Sequence, residues 1–459
     1  KQPAHKFAII SPFRFYGYAM LFPQSLQRLI CTGIALLAMP AAFAETVFHQ
    51  LDNGMKVIIA EDHRAPVVLT QLWYKIGSID EVPGKTGLSH ALEHMMFKGT
   101  HTVPAGEYSS RISALGGEDN AYTSPEETVY HVNIAAQHLP TVLRLEADRM
   151  ANLNFSDAAF RNEMKVIREE RRQTVEDSPN NALYEKLLGI AWQKSANRTH
   201  TIGIMRDLHH LKPNDLRQWY RQWYAPNNAT LIIVGDVNPE QTLATVKQYF
   251  GQIPARELPK RQDISERLDR PVKPAAMRAN TKQPLMVLGY RVPHLQKLDD
   301  TMPYALDVLG SILDGHSAAR FSKNLVRGQQ TAQRIDVSYD LLSRQPQLWT
   351  VFAMPANGTS TAKLRQLIEA QIADIAENGV SEEELQRAIR QEEANEIYDR
   401  DSIESRASLM GTLENTGFSY RDEAEIRRRL SQVTAQQVQE AARLLTSDRA
   451  VFVEMQPAR

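Results

Sequence analysis

Residues 87–100 read GLSHALEHMMFKGT, and the reading of the chain turns on them. Leu88, Ala91, Leu92, Met95 and Met96 surround three polar residues, His90, Glu93 and His94. The spacing predicts a helix over 86–97, with Gly99 just past its end as a stop signal. Positions four apart share a helix face, so both imidazoles can reach one ion. Glu93, three after His90 and adjacent to His94, can stand beside that ion without binding it. Two neutral nitrogens and a neighbouring carboxylate base are what metal-assisted hydrolysis needs. The H-x-x-E-H order reverses that of the commoner zinc helix. The bland alternative is a helix with surface His and Glu. Against it, a mostly apolar, buried helix does not leave two His and a Glu unpaired without cause.

Two imidazoles alone make a weak site, so a third protein ligand is needed. The helix expected over 157–177 offers candidates. Glu163 and Glu170 are seven apart, two turns, and share a face, whereas Glu169 points about 100° away from Glu170. From the residues alone, Glu169-Glu170-Arg171-Arg172 reads equally as a solvated charge run.

Working outward, strands and helices alternate. Strands are expected over 56–60, 67–73 and 230–235, where β-branched residues concentrate. Two short strands are expected within 120–132, around Ser124-Pro125. Helices are expected over 107–115, closed by Gly116-Gly117, and over 139–152, 157–177 and 239–250. Residues 255–279 are rich in proline and charge, with weak periodicity, and read as a linker. Beyond it come strands over 285–290, 348–352 and 450–454, and helices over 300–313, 361–376, 381–398 and 435–445. The expectation is an α+β fold of two similar domains, 45–254 and 280–459, each a mostly antiparallel sheet covered by helices. The repeat is one of pattern, not of residue identity.

The chain of 459 residues is too long for one ordinary core, and its formal net charge of -1 excludes nucleic acid as a main partner. Its single cysteine, Cys31, excludes a disulfide framework and a cysteine-rich zinc module, so any metal site uses His, Asp and Glu. From Met20, Arg28, the apolar run over 29–39 and Ala42-Phe43-Ala44 follow the order of a signal peptide, which makes Glu45 the new N-terminus and the protein periplasmic. Cys31 is badly placed there for lipid attachment. Met20 reads as the start, with upstream sequence before it; an uncleaved N-terminal anchor is the alternative. His200, His209 and His210 stand in polar stretches and are expected at the surface. His131 reads as a structural strand residue and His316 as part of a small-residue turn. The sequence shows neither a phosphate-binding glycine loop nor a G-x-S-x-G elbow.

Residues 87–100 resemble the zinc-helix signature of the pitrilysin family, which includes insulin-degrading enzymes and mitochondrial processing peptidases. The likeness continues through Gly116-Gly117, Asn120-Ala121-Tyr122-Thr123-Ser124, Thr128-Val129-Tyr130, Glu163 with Glu169-Glu170, Asp177-Ser178-Pro179, Tyr224-Ala225-Pro226-Asn227-Asn228 and Val234-Gly235-Asp236. It implies a zinc-dependent endopeptidase with one Zn2+ per chain. By the resemblance, His90, His94 and Glu170 are the ligands, Glu163 orients them, and Glu93 is the general base. Asn120, Ala121 and Tyr122 resemble the edge strand that pairs with an extended peptide substrate.

The second half departs from the family. Active single-chain relatives carry an Arg and, seven residues later, a Tyr that help hold substrate. Arg327 matches the first, but Arg334 occupies the Tyr position and the usual Gly-Leu-Ala-Tyr stretch is absent. Tyr339, five further on, would face the opposite side of a strand. The resemblance therefore implies the zinc subunit of a two-chain peptidase, whose homologous partner brings the Arg/Tyr pair. The alternatives are a homodimer, a peptidase dedicated to one precursor, and a non-catalytic scaffold subunit.

Overall fold

The computed structural model describes residues 46–262 and 266–458, with no side-chain description for 396–400. The expected signal segment, Met20 and Cys31 lie outside the described residues.

Two sheets organise the chain. The first holds β1 (Thr46–Gln50), β2 (Lys56–Glu61), β3 (Val67–Tyr74), β4 (Glu118–Thr123), β5 (Thr128–Ala135) and β6 (Ala229–Gly235) in the order β1-β2-β6-β3-β5-β4. The second holds β7 (Ala275–Ala279), β8 (Leu285–Val292), β9 (Ala332–Ser338), β10 (Gln347–Pro355) and β11 (Val451–Pro457) in the order β7-β11-β8-β10-β9. Pairing is antiparallel except between β2 and β6 and between β7 and β11. Set side by side, β2-β6-β3-β5-β4 and β7-β11-β8-β10-β9 have one order and one set of strand senses. The repeat inferred from pattern is a repeat of topology. Central strands β3, β6 and β8 are buried on both faces, which is why they read as continuous apolar runs.

Helices α1 (Leu88–Met95), α2 (Glu107–Ala114), α3 (Leu139–Asn152), α4 (Asp157–Arg171), α5 (Pro179–Ala191), α6 (Met205–His210), α7 (Pro213–Trp223) and α8 (Pro239–Phe250) lie in the first half. The second carries α9 (Thr301–Asp314), α10 (Thr361–Asn378), α11 (Glu382–Asp401), α12 (Ile403–Thr416), α13 (Glu423–Ser431) and α14 (Ala435–Ala442). Two segments differ from expectation. The helix expected over 157–177 ends at Arg171 and continues as a π-helical turn over Arg172–Glu176. The segment 255–279 does not stay a linker, because Ala275–Ala279 pairs parallel with β11 at the sheet edge. Five small or half-exposed residues there carry too little apolar pattern to announce a strand.

The halves exchange helices. Leu183, Leu187 and Leu188 of α5 are buried against Leu285, Val287, Val451 and Val453 of the second sheet. Reciprocally, Ala407 and Met410 of α12 pack on Ile58, Leu69, Trp73, Ile232 and Val234 of the first. Each fully buried leucine contributes about 1.5–3 kcal/mol, so the exchange welds the two units into one body.

Candidate metal centre

The centre is built on α1, which is buried along its whole length. Its N-cap, Gly87, has φ +87°, and a Cβ there would stand 2.5 Å from the carbonyl oxygen of Ile202, so only glycine fits. Glu81 closes the helix start: its Oε2 accepts the amide of Gly87 at 2.7 Å and its Oε1 that of Ser89 at 2.7 Å. The Glu81 carboxyl there satisfies free amides, and burial pushes it up to about 8 against those two amide bonds. Asp207 holds the preceding residue, accepting the Thr86 hydroxyl at 2.9 Å.

From this helix His90 and His94 face Glu170, near the end of α4. His94 Nε2 lies 3.3 Å from Glu170 Oε2, and His90 Nε2 lies 3.7 Å from Glu170 Oε1. One donor atom from each residue falls within 4.8 Å of the others. A tetrahedral zinc with bonds of about 2.0–2.1 Å sets its ligand atoms about 3.3–3.4 Å apart, the separation already present between His94 Nε2 and Glu170 Oε2 and inside the 4.8 Å spread of the three. Glu170 Oε2 is buried and meets His94 Nε2 at the long distance of 3.3 Å, a contact that a cation between them would replace with direct bonds. Two imidazoles and one carboxylate are a donor set suited to zinc.

Glu163, one face with Glu170 as its spacing requires, is buried and accepts from His94 Nδ1 at 2.9 Å. That bond places a proton on Nδ1 and turns Nε2 toward the metal position. Burial would lower the His94 imidazole, but its hydrogen bonds to Glu163 and Glu170 raise it to about 9, so a cation bound at Nε2 would displace a proton. Lys98 Nζ, 2.7 Å from the other Glu163 oxygen, steadies it in turn. The charge run at 169–172 divides by helical phase. Glu169 and Arg172 are exposed and pair with each other. Glu170 turns to the imidazoles, and buried Arg171 reaches Glu185 through both terminal nitrogens, at 2.7 and 2.6 Å, and the Gly203 carbonyl at 2.9 Å.

Glu93 is 1% exposed. Burial pushes its carboxyl up to about 7, against the nearby His94 and a hydrogen bond from Thr123, which suits a base working near neutrality. Burial, then the neighbouring His94, brings His90 down to about 3, so it is neutral and able to donate a lone pair. Burial alone would raise Glu170, but hydrogen bonding with His94 and the nearby imidazoles hold it below the usual carboxylate range.

The remaining candidates separate. Asn120, Ala121 and Tyr122 lie on β4, which ends the first sheet and pairs there with β5 alone. Asn120 Oδ1 accepts the Ala121 amide at 2.9 Å. The Tyr122 ring packs edge-on against Trp73, toward the α12 face. Ala121 and Thr123 lie on the other face of the strand, and the Thr123 hydroxyl donates to Glu93 Oε2 at 2.5 Å. Arg327 is exposed, and its guanidinium is bonded to the carbonyls of Ser317 and Ser322, not to the metal centre. Arg334 pairs with Asp336 at 2.6 Å, and the Tyr339 hydroxyl donates to the Pro293 carbonyl at 2.6 Å.

His200 corrects an expectation. It is buried, because the loop after it folds over the start of α1; burial brings its imidazole down to about 4. His209 and His210 are exposed as expected. Glu81, Lys98 and Thr123 are site residues that reasoning from sequence missed. Thr123 alone carried a signal, since it falls inside the edge-strand motif.

Two family descriptions match the chain: "Insulinase (Peptidase family M16)" over residues 56–203 and "Peptidase M16 inactive domain" over 210–392. Zinc protease PqqE of Helicobacter pylori is 28% identical over 368 residues, covering 78% of this chain and 81% of its own. A crystal structure of a protease from Helicobacter pylori superposes with a TM-score of 0.84 at 24% identity, covering 90% of this chain and 100% of that one. The first half of the periplasmic protease PqqL from Escherichia coli superposes with a TM-score of 0.72 at 22% identity, covering 89% of this chain and 91% of that one.

Proposed function

The chain belongs to the M16 (insulinase) peptidase family, and on that premise we propose that it is a zinc endopeptidase that hydrolyses peptides or unfolded segments. The carrying observation is the convergence of His90, His94 and Glu170, with Glu93 beside them. A zinc ion held by those three ligands would supply Lewis acidity, polarising the scissile carbonyl and making water more acidic. Glu93 takes the proton of the attacking water and passes it to the leaving amine. Glu163 fixes the tautomer and direction of His94. The edge strand β4, at Asn120, Ala121 and Tyr122, takes the substrate backbone as an added strand, so recognition rests on main-chain hydrogen bonds and tolerates varied sequences.

The chain acts as the zinc subunit of a pair. Arg334, at the position of the family's Tyr, is engaged with Asp336, and Tyr339 is engaged with Pro293, so neither is free to hold substrate. A homologous subunit would supply that pair, with Arg327 the local alternative in a homodimer. The PqqL likeness supports both the pairing of halves and a periplasmic location reached through the signal segment at 20–44. No helix among the described residues is long and apolar enough to cross a membrane. The units are taken as 45–254 and 280–459, with Ala275–Ala279 of the joining stretch added to the second sheet and α5 and α12 exchanged.

Metal analysis joined to Glu93→Gln tests the reading. The wild-type chain binds one zinc, the variant keeps it, and hydrolysis with the partner present falls roughly 100- to 10,000-fold. Full hydrolysis by the variant overturns the assigned base. Full hydrolysis by the isolated wild-type chain removes the need for a partner.

A further inference from the structure

A carboxylate base has two oxygens and needs only one of them aimed at the water. In Glu93, Oε2 takes the Thr123 hydroxyl at 2.5 Å, so the two oxygens are not equivalent. Thr123 therefore decides which oxygen works and fixes the last rotatable bond of the side chain. Thr123 is itself held. It is the last residue of β4, and the turn that follows is anchored in the second unit. Glu126 in that turn is buried; its carboxylate accepts the Ser343 hydroxyl and, at 2.8 Å, the Arg344 amide. The Glu126 carbonyl accepts Arg344 Nη1 at 2.6 Å. Glu127 accepts Ser124 at 2.5 Å and Asn415, at the end of α12, at 2.7 Å.

The same guanidinium reaches the other support of Glu93. Arg344 Nη2 is 2.9 Å from Asp80 Oδ1, and Nη1 is 3.1 Å from Asp80 Oδ2. The next residue, Glu81, caps α1, the helix that carries Glu93. One side chain on the β9–β10 loop thus holds both the turn beside the α1 cap, through Asp80, and the turn after Thr123, through Glu126. We infer that Thr123 and Arg344 form a positioning relay through which the second unit sets the Glu93 carboxylate. This rests on the peptidase reading above. It gives the catalytically silent half of the chain a task in turnover beyond covering the sheet.

Steady-state peptide hydrolysis by the full zinc-loaded chain, with its partner where turnover needs one, tests the relay. Thr123→Val keeps the shape of the side chain and removes the donor. Its kcat is expected to fall roughly 100-fold, with zinc content unchanged and KM within about twofold of wild type. Thr123→Ser, which keeps the hydroxyl, restores most of kcat. Arg344→Ala lowers kcat in the same sense, and added guanidinium ion recovers part of the loss, which a merely destabilised protein would not show. Where Arg344→Ala does not fold, Arg344→Lys keeps the charge without the fork and takes its place, with the same loss of kcat expected. Wild-type kcat in Thr123→Val, alongside an inactive Glu93→Gln, sinks the relay and leaves the base assignment standing. Activity in Glu93→Gln sinks the base assignment itself. Unchanged kcat in the folded Arg344 variant, with Thr123→Val impaired, removes the second unit's part and overturns the relay as stated.

Discussion

Helices α1 and α9 occupy the same slot of the repeated topology, one between β3 and β4, the other between β8 and β9. Both are buried, but with different chemistry. α9 buries Tyr304, Leu306, Val308, Leu309, Ile312 and Leu313, an ordinary apolar face. α1 buries Ser89, His90, Glu93 and His94 among its leucines and methionines. The architecture needs only a buried helix there, and α9 shows that apolar residues meet the need. Each buried polar atom left without a partner costs about 1–3 kcal/mol, so folding alone does not account for the content of α1, and the proposed metal site does.

That contrast can be broken in graded ways. The largest expected effect is at the helix–sheet contacts. In α12, a Cβ on Gly411 would lie 2.0 Å from the Trp73 ring, whereas in α9 a Cβ on Gly310 meets nothing nearer than 3.5 Å. Gly411→Ala is expected to destabilise by about 3 kcal/mol through overpacking, and Gly310→Ala to stabilise by about 0.5–1 kcal/mol by limiting the unfolded chain. Urea unfolding of both variants checks the pair; equal effects would mean that the first sheet and its borrowed helix are not in close contact.

Next comes the support of the metal centre, which α9 lacks. Glu163→Gln leaves the three ligands in place but weakens the acceptor on His94. Zinc affinity is expected to fall roughly 10- to 100-fold, with the fold unchanged. Competition with a chelator of known affinity measures it, and an unaltered affinity would reduce Glu163 to a partner of Lys98.

The smallest effect concerns pH at the junction between the units. Burial raises Glu126 to about 8 and Glu127 to about 7, from 4.5 in the unfolded chain. A carboxyl raised on folding contributes stability that is complete below its unfolded value and is lost as pH climbs through its folded one. The junction should therefore weaken as pH rises from 4.5 to about 8, with melting falling by roughly 2–4 °C for each kcal/mol lost. Glu126→Gln is neutral throughout and should flatten that slope in scanning calorimetry; an unchanged slope would assign the dependence to other groups.

Much of the centre was legible because its signals are local. His90, Glu93 and His94 share barely more than one helical turn, and Glu163 and Glu170 share a face by spacing alone. Burial of the charge run at 169–172 was not legible, since four charged residues in a row say nothing about which pair faces inward. His200 misled for the same reason: a polar stretch reads as surface until the loop is seen lying over α1. Glu81, Lys98 and Arg344 act on partners in other elements, and a single charged residue in sequence carries no address.

By itself the sequence determined the alternation of strands and helices, the doubling of the pattern and the candidate metal-binding turn of α1, because periodicity and spacing are properties of neighbouring residues. Only the tertiary structure decided that α5 and α12 change places between the sheets, that Ala275–Ala279 closes an edge, and that Thr123 bonds Glu93 while Arg344, from the other half, holds the turn after Thr123. These depend on which apolar faces and which buried charges find each other across long separations. That is a matter of packing and desolvation over the whole chain, and no short stretch records it.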